Sequence, residues 1–418
     1  MDRPLSTPPD GVRDLLVVGG GIIGLAVAWR ALEAGLSVTV LDPDAGDGAT
    51  RAAAGMLAPA TEAEFTEDAA LALHLAAAGR WLTFAADLEA AAGTGVGLRE
   101  SGTLTLAYDD TDAALLRRLL ALQARHAVSS RVLTIAEARR HEPLLGPRLS
   151  GAAWVPGDHA VDPRAVHAAL QRAIADGHGA VVPRAAVRLV RHDGRVVGAL
   201  DDAGRVHRAG STVVAAGWAS APLLADLPDV TVPVRPVKGQ TLRLQADPDL
   251  TPRHVVRGLV QGRPVYVVGR TPATEGPWAG HCEIVVGATT EENPDDRRAT
   301  AGGVFALLRD ARVLLPAIDE AALVEVTPRA RPATPDNLPL VGPTHVPGLH
   351  LATGHHRNGI LLAPLTAEIV VAGLTGSWFD VDVTRADPPT LLAALRASDP
   401  RRFPPPDPDT RRTDGGPR

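Results

Sequence analysis

Apolar positions along this chain change their spacing from one segment to the next, and the changes predict its elements. Residues 14–18 form a short apolar run that ends in Gly19-Gly20-Gly21, and residues 24–32 then follow helical spacing until Gly35. Residues 37–41 alternate and are β-branched, as in a strand. The order strand, tight turn, helix, strand is one βαβ unit. Farther on, an Ala-rich helix is predicted over 71–92, a strand over 101–107 and helices over 115–125 and 135–141. Asp162-Pro163 opens another helix reaching about Asp176, with Asp162 as N-cap and Pro163 in the first turn. Turn signals at Asp193-Gly194 and Ala203-Gly204 divide 187–217 into a meander. Strand-like runs at 240–244, 265–268 and 284–286 point to a mostly antiparallel sheet. A helix over 300–315, a strand over 349–353 and a helix over 359–374 follow; Pro364 must kink the last or lie near its start. Residues 1–12 read as a loose arm, and the Pro/Arg/Asp-rich stretch after about Ser398 as a disordered tail.

Composition narrows the picture. Of 418 residues, 45% are hydrophobic and 22% charged, which is globular and long enough for two domains. The formal net charge of −6 gives no reason to expect nucleic acid or an anionic membrane as partner. Cys282 is the only cysteine, so an internal disulfide and a multi-cysteine metal site are both excluded; a reducing cytoplasm fits. The apolar run 15–29 contains four glycines and is too short to span a membrane.

The strongest motif is the turn of the βαβ unit. Gly19, Gly21 and Gly24 spell G-x-G-x-x-G between strand and helix. Such glycines allow a sharp turn, close approach of the backbone to a pyrophosphate, and tight helix–strand packing, while the helix N-terminus offers unpaired N–H groups to the phosphates. Asp42 stands 18 residues beyond Gly24, at the end of the second strand, where its carboxylate can accept ribose hydroxyls. The motif marks a dinucleotide site without choosing between NAD and FAD.

The small-residue stretch GATRAAAGMLAP at 48–59 provides a second place for close cofactor approach. With ESGTL (100–104), VDP (161–163), VVAAGWAS (213–220), PVKGQ (236–240), VVGATTEE (285–292), RPATPDNLPLVG (331–342) and GHHRNGILLAP (354–364), the chain resembles the glycine oxidase family of the thiamine-pathway type, within the D-amino-acid and sarcosine oxidase class. The resemblance runs over about 14–374. It implies a Rossmann-like FAD-binding domain (α/β) and a second, α+β substrate domain on a mostly antiparallel sheet. The FAD-binding parts are expected at 13–80, 151–222 and 326–395, and the substrate parts at 81–150 and 223–325, with 396–418 as tail.

The resemblance also implies the site. Non-covalent FAD would be held by Gly19, Gly21, Ile22, Ile23, Gly24, Asp42 and Pro43, by Thr50, Ala53, Ala54, Gly55 and Met56, and by Val187, Ala216 and Gly217. The 354–360 segment (Gly354, His355, His356, Arg357, Asn358, Gly359, Ile360) would bring a helix N-terminus to the flavin. Arg331 looks like the carboxylate clamp, a planar and permanently charged fork, Tyr266 like the tyrosine whose hydroxyl touches the carboxylate, and Arg357 like a second pocket arginine. Met56, His356 and Thr290 would bound the substrate pocket. The implied reaction is oxidative deamination of glycine, or of sarcosine or a D-amino acid: hydride passes to flavin N5, and imine or glyoxylate, ammonia and, with oxygen, hydrogen peroxide are formed. A carrier in place of oxygen would make it a dehydrogenase. Thiazole synthesis would consume the product, and self-association is common in such proteins. His355 and His356 are adjacent, share no helix face and have no acidic cluster beside them, so no metal is expected. Lys238, the only lysine, reads as a solvated strand-end residue or as an aid to oxygen. The sequence departs from the family pattern at Asp42, Gly269, His356 and Thr290, the last two bearing on pocket size and polarity.

Overall fold

The computed structural model describes residues 12–292, 296–377 and 388–404. Two sheets organise it. The first runs Leu340–Pro343, Leu349–Thr353, Val206–Val214, Arg13–Val18, Val38–Leu41, Ala180–Val182, with Ala186–His192 and Arg195–Asp201 hairpinned onto Val206–Val214. Its centre is parallel: Arg13–Val18 lies between Val38–Leu41 and Val206–Val214, and Val206–Val214 in turn pairs with Leu349–Thr353. The helices Ile22–Glu33, Pro163–Asp176 and Gly359–Thr375 contribute to a core with Leu15, Val17 and Val213. Covered parallel strands of this kind are nearly all apolar, as Leu15 to Val18 are.

The second sheet runs Ala322–Ala333, Arg235–Ala246, Cys282–Gly287, Arg263–Gly269, Val255–Val260, Thr103–Ala107, Gly151–Val155, Arg131–Leu133. All of its pairings are antiparallel except Val255–Val260 with Thr103–Ala107. One face packs on the helix Ala301–Leu314 through Leu242, Val256, Val286, Leu307 and Leu314. The fold is therefore the Rossmann-like sheet with a mostly antiparallel second sheet that the sequence led us to expect.

Several boundaries differ. The single helix expected over 71–92 is two, Asp68–Ala78 and Trp81–Ala92, set 43° apart. The break falls at Gly79-Arg80, where the chain turns so that Trp81 can donate its indole N–H to the carbonyl of Leu361, at 2.9 Å. Both halves pack into the first core, so 81–92 belongs with the FAD-binding part, not the substrate part. The strand Gly151–Val155 lies in the second sheet, as does Ala322–Ala333 to its end, which moves the expected boundaries at 151 and 326. Pro364 sits inside the last long helix near its start. Residues 398–404 are not a loose tail: Ser398 accepts from the amide of Val341, and Arg402 pairs with Asp336 and donates to the carbonyls of Leu338 and Pro339. The rest of the expected tail, and all of the N-terminal arm but Val12, lie outside the described residues.

Burial holds four histidines neutral. It pushes His74, His350 and His356 down to about 4 and His355 to about 3, from an ordinary value of 6.5. The unfolded chain therefore takes up more protons as pH falls from 6.5 towards 4, and stability falls with it. Asp158, which burial pushes up to about 6 from 3.8, acts with the opposite sign between those values, one group against four. Thermal unfolding followed at pH 7, 6 and 5 is expected to show a steadily falling midpoint; a midpoint that rises on acidification would contradict the burial of these histidines.

Candidate active site

A cavity of about 590 Å³ runs from the glycine turn of the first sheet to the open face of the second. At its first end, Gly19 has φ +111°, and a Cβ there would lie 2.4 Å from the carbonyl oxygen of Ala215. A Cβ on Gly24 would lie 1.9 Å from the carbonyl oxygen of Gly19, so Gly24 serves helix–strand contact and does not itself line the cavity. Gly21 is the N-cap of Ile22–Glu33 with no side-chain cap. The amide of Ile22 is held by Thr50 Oγ1 at 3.1 Å. The Asp42 carboxylate accepts from the amides of Gly20 (2.6 Å) and Asp44 (2.8 Å), which fixes the turn and leaves lone pairs on both oxygens. This is a cradle that only glycine backbone forms, bordered by an acid, and it fits a dinucleotide's pyrophosphate and ribose.

Gly19, Gly21, Ile22, Ile23, Asp42 and Pro43 line this end. Thr50, Ala53, Ala54, Gly55 and Met56 continue the wall, faced by Ala216 and Gly217. His355, His356, Arg357, Gly359 and Ile360 close it, placing the start of Gly359–Thr375 at the cavity. Four expected cofactor residues are not on its wall. Gly24 packs as described. Val187 is 54% exposed, while Ala185 and Ala186 before it line the cavity. Gly354 makes a tight turn against Thr334. Asn358 is the helix N-cap position.

Tyr266, Thr290, Arg331, Met56 and His356 meet at the other end. Two glycines hollow out space for the polar pair. A Cβ on Gly239 would lie 2.3 Å from Arg331 Nη1, and one on Gly287 would lie 2.2 Å from the Tyr266 hydroxyl oxygen. Arg331 Nη1 donates to the carbonyl of Thr289 at 3.2 Å. Burial pushes the Tyr266 phenol up to about 12, so it remains a neutral donor. His355 is buried against Thr366 Oγ1 at 2.9 Å, which makes it structural.

Sequence reasoning missed Arg257 and Glu62, which also line this end and are ion-paired. Burial pushes the Glu62 carboxyl up, but Arg257 and Arg357 outweigh it and hold it below the usual range. Arg357 bonds the Glu62 carbonyl (3.1 Å) and the Glu64 carboxylate (2.9 Å). Arg257 pairs in register with Tyr266, and that register is the only signal that could have found it. Arg297 and Arg329, also on the wall, are both paired with Asp47. Lys238 is neither solvated nor on the wall: it is 1% exposed, bonded to Asp296, with Glu291 at 3.5 Å. Paired strands cover it, and the two carboxylates offset its charge. Cys282 is buried in a strand away from the wall.

Comparison with known proteins places this geometry. The family model described as FAD dependent oxidoreductase matches residues 14–372. The bifunctional protein ThiO/ThiG of Nostoc sp. is 34% identical over 362 residues, 86% of this chain and 52% of that protein, so the chain spans about half the length of that relative. Glycine oxidase of Geobacillus kaustophilus is 34% identical over 364 residues, 85% of this chain and 91% of that protein. A crystal structure of glycine oxidase from Geobacillus kaustophilus superposes with a TM-score of 0.80 at 29% identity, covering 90% of this chain and 97% of that one. With a glycine cradle for the dinucleotide and a family match over most of its length, the chain belongs to the FAD dependent oxidoreductase family and is an FAD-dependent enzyme.

Proposed function

We propose that this enzyme oxidises glycine, or a small amino acid of similar size, at the Arg331 end of the cavity. One observation carries the reading. Of the described arginines on the cavity wall, Arg257, Arg297, Arg329 and Arg357 each have a carboxylate partner, and Arg331 bonds only a backbone carbonyl. A single uncompensated guanidinium beside a neutral phenol is a site for one carboxylate. The named glycine oxidase relatives support the substrate class.

Arg331 and the Tyr266 hydroxyl hold the substrate carboxylate, fixing the orientation of its Cα. Met56, Thr290 and His356 limit the room beyond it. His356 is neutral at pH 7 and adds no charge beside the amine; once the substrate ammonium has given its proton to solvent, no side-chain base is needed. FAD, when bound, would supply the two-electron oxidising power that the side chains lack. The imine is released and hydrolyses to glyoxylate and ammonia; oxygen takes up the electrons as hydrogen peroxide. The resemblance to the thiamine-pathway glycine oxidases extends the reading to thiazole synthesis as the consumer of the product.

The test is anaerobic. Glycine added to the yellow holoenzyme should bleach the flavin, and air should restore the colour with stoichiometric peroxide. Bleaching without recovery in air would make the enzyme a dehydrogenase that uses a carrier. Bleaching only with sarcosine or D-alanine would move the substrate to those amines.

A further inference from the structure

The cavity wall at 51–54 is gripped from the opposite sheet. Arg243 Nη2 donates to the carbonyls of Arg51 and Ala53, at 3.2 and 3.4 Å. Thr241 Oγ1 donates to Ala52 at 2.9 Å, and Arg270 Nη2 to Ala54 at 2.5 Å. Four successive carbonyls are thus held by Thr241 and Arg243 of the second sheet and by Arg270, just past its strand Arg263–Gly269, with Arg164 sharing that of Arg51. Arg270 Nη1 reaches on to the carbonyl of Val161 at 2.8 Å, the oxygen that leaves no room for a Cβ on Gly55. The first two of these carbonyls belong to the last residues of the short helix Ala49–Ala52, where backbone acceptors lack partners of their own.

The charges beneath this wall do not cancel. Arg243 and Arg270 are both buried, and Glu283 is the one carboxylate between them, ion-paired to Arg243 and 3.8 Å from Arg270 Nε. Arg99 and Asp162 act on Arg270 with opposite signs, and Glu142 acts on Arg99 in turn. Within the joined trio Arg243–Glu283–Arg270 the two buried guanidiniums exceed the one carboxylate by a single charge. Ala54, Met56 and Tyr266 belong to one packed cluster, so this wall is at the substrate end. The oxidising ring of FAD must lie at that end for substrate to reach it, and reduction adds negative charge to the ring.

We propose that Arg243 and Arg270, balanced by Glu283, are positioning residues that also set the cofactor's potential. They hold the 51–54 wall against the cavity, and their surplus charge biases bound FAD towards its reduced form. The inference rests on FAD binding and on the substrate end proposed above, and is independent of which amine is oxidised.

The experiment measures the FAD midpoint potential of the holoenzyme by slow reduction against an indicator dye, with no amino acid present. R270Q, which retains an amide donor, is expected to shift the equilibrium towards oxidised FAD by about tenfold, ~30 mV for a two-electron couple. E283Q, which leaves the surplus larger, is expected to shift it about as far towards reduced FAD. R270K is expected to stay near the parent. Loosening of the wall alone gives no reason for opposite signs. If R270Q sheds its FAD, E283Q still decides: no shift, or a shift towards oxidised FAD, overturns the proposal.

Discussion

Replacing Arg331 with alanine is expected to lower kcat/KM on glycine by about a hundredfold, equivalent to about 2.7 kcal/mol. The effect should be this large because, among the described residues, the guanidinium is the one cavity cation without a carboxylate partner, and a substrate carboxylate entering the cavity would otherwise lose its water without compensation. KM should rise, and the anaerobic rate of flavin bleaching at saturating glycine should fall as well, since the clamp fixes orientation. Arg331→Lys should recover charge but not the two-pronged geometry, and so rescue only part of the loss. FAD content and unfolding midpoint should stay near the parent's, because the Arg331 side chain makes a single hydrogen bond, to the carbonyl of Thr289. An unchanged KM together with an unchanged bleaching rate would remove Arg331 from the site.

Gly19→Ala is expected to give a colourless protein. The substitution meets two obstacles at once: φ +111° is a conformation that L side chains rarely adopt, and the new Cβ would fall 2.4 Å from a backbone oxygen of Ala215. Neither can be relieved by turning a side chain. Strain and overpacking together cost about 3 kcal/mol or more, and the amide geometry offered to the pyrophosphate is lost with them. The check is the ratio of flavin to protein absorbance after purification, with the unfolding midpoint measured alongside. A yellow Gly19→Ala protein with the parent's midpoint would show that the turn tolerates a side chain.

The sequence made the nucleotide end legible because backbone chemistry dictates it: few residues besides glycine permit that turn, and the spacing to Asp42 follows from one helix and one strand. The substrate end was partly legible. Arg331, Tyr266, Thr290, Met56 and His356 do converge, but they were placed by resemblance and not by spacing, since they come from distant segments. Arg257 and Glu62 escaped because one is among many arginines and the other stands in an ordinary acidic stretch; only strand register and burial distinguish them. The Val187 side chain faces solvent one residue from Ala186, which lines the cavity. Lys238 was misread because nothing local shows that Asp296, nearly sixty residues on, comes back to meet it. The split at Gly79 was hidden by Ala-rich helical propensity that continues on both sides.

The interleaving of the first sheet has a consequence for how the protein is made. Its centre joins Arg13–Val18 to Val206–Val214, and the latter to Leu349–Thr353. The helix that covers it, Gly359–Thr375 with the turn His356–Asn358 leading into it, is fit by length and composition to cross a membrane but is largely buried here against Ile22–Glu33 and Asp68–Ala78. During synthesis the first strand must therefore wait for nearly the whole chain to leave the ribosome before its layer can close. Contacts this far apart in sequence form slowly and leave apolar surface uncovered meanwhile. Nascent chains halted before Thr353 would lack the last central strand and its covering helix, so they would be clients for chaperones rather than a folded half of the molecule.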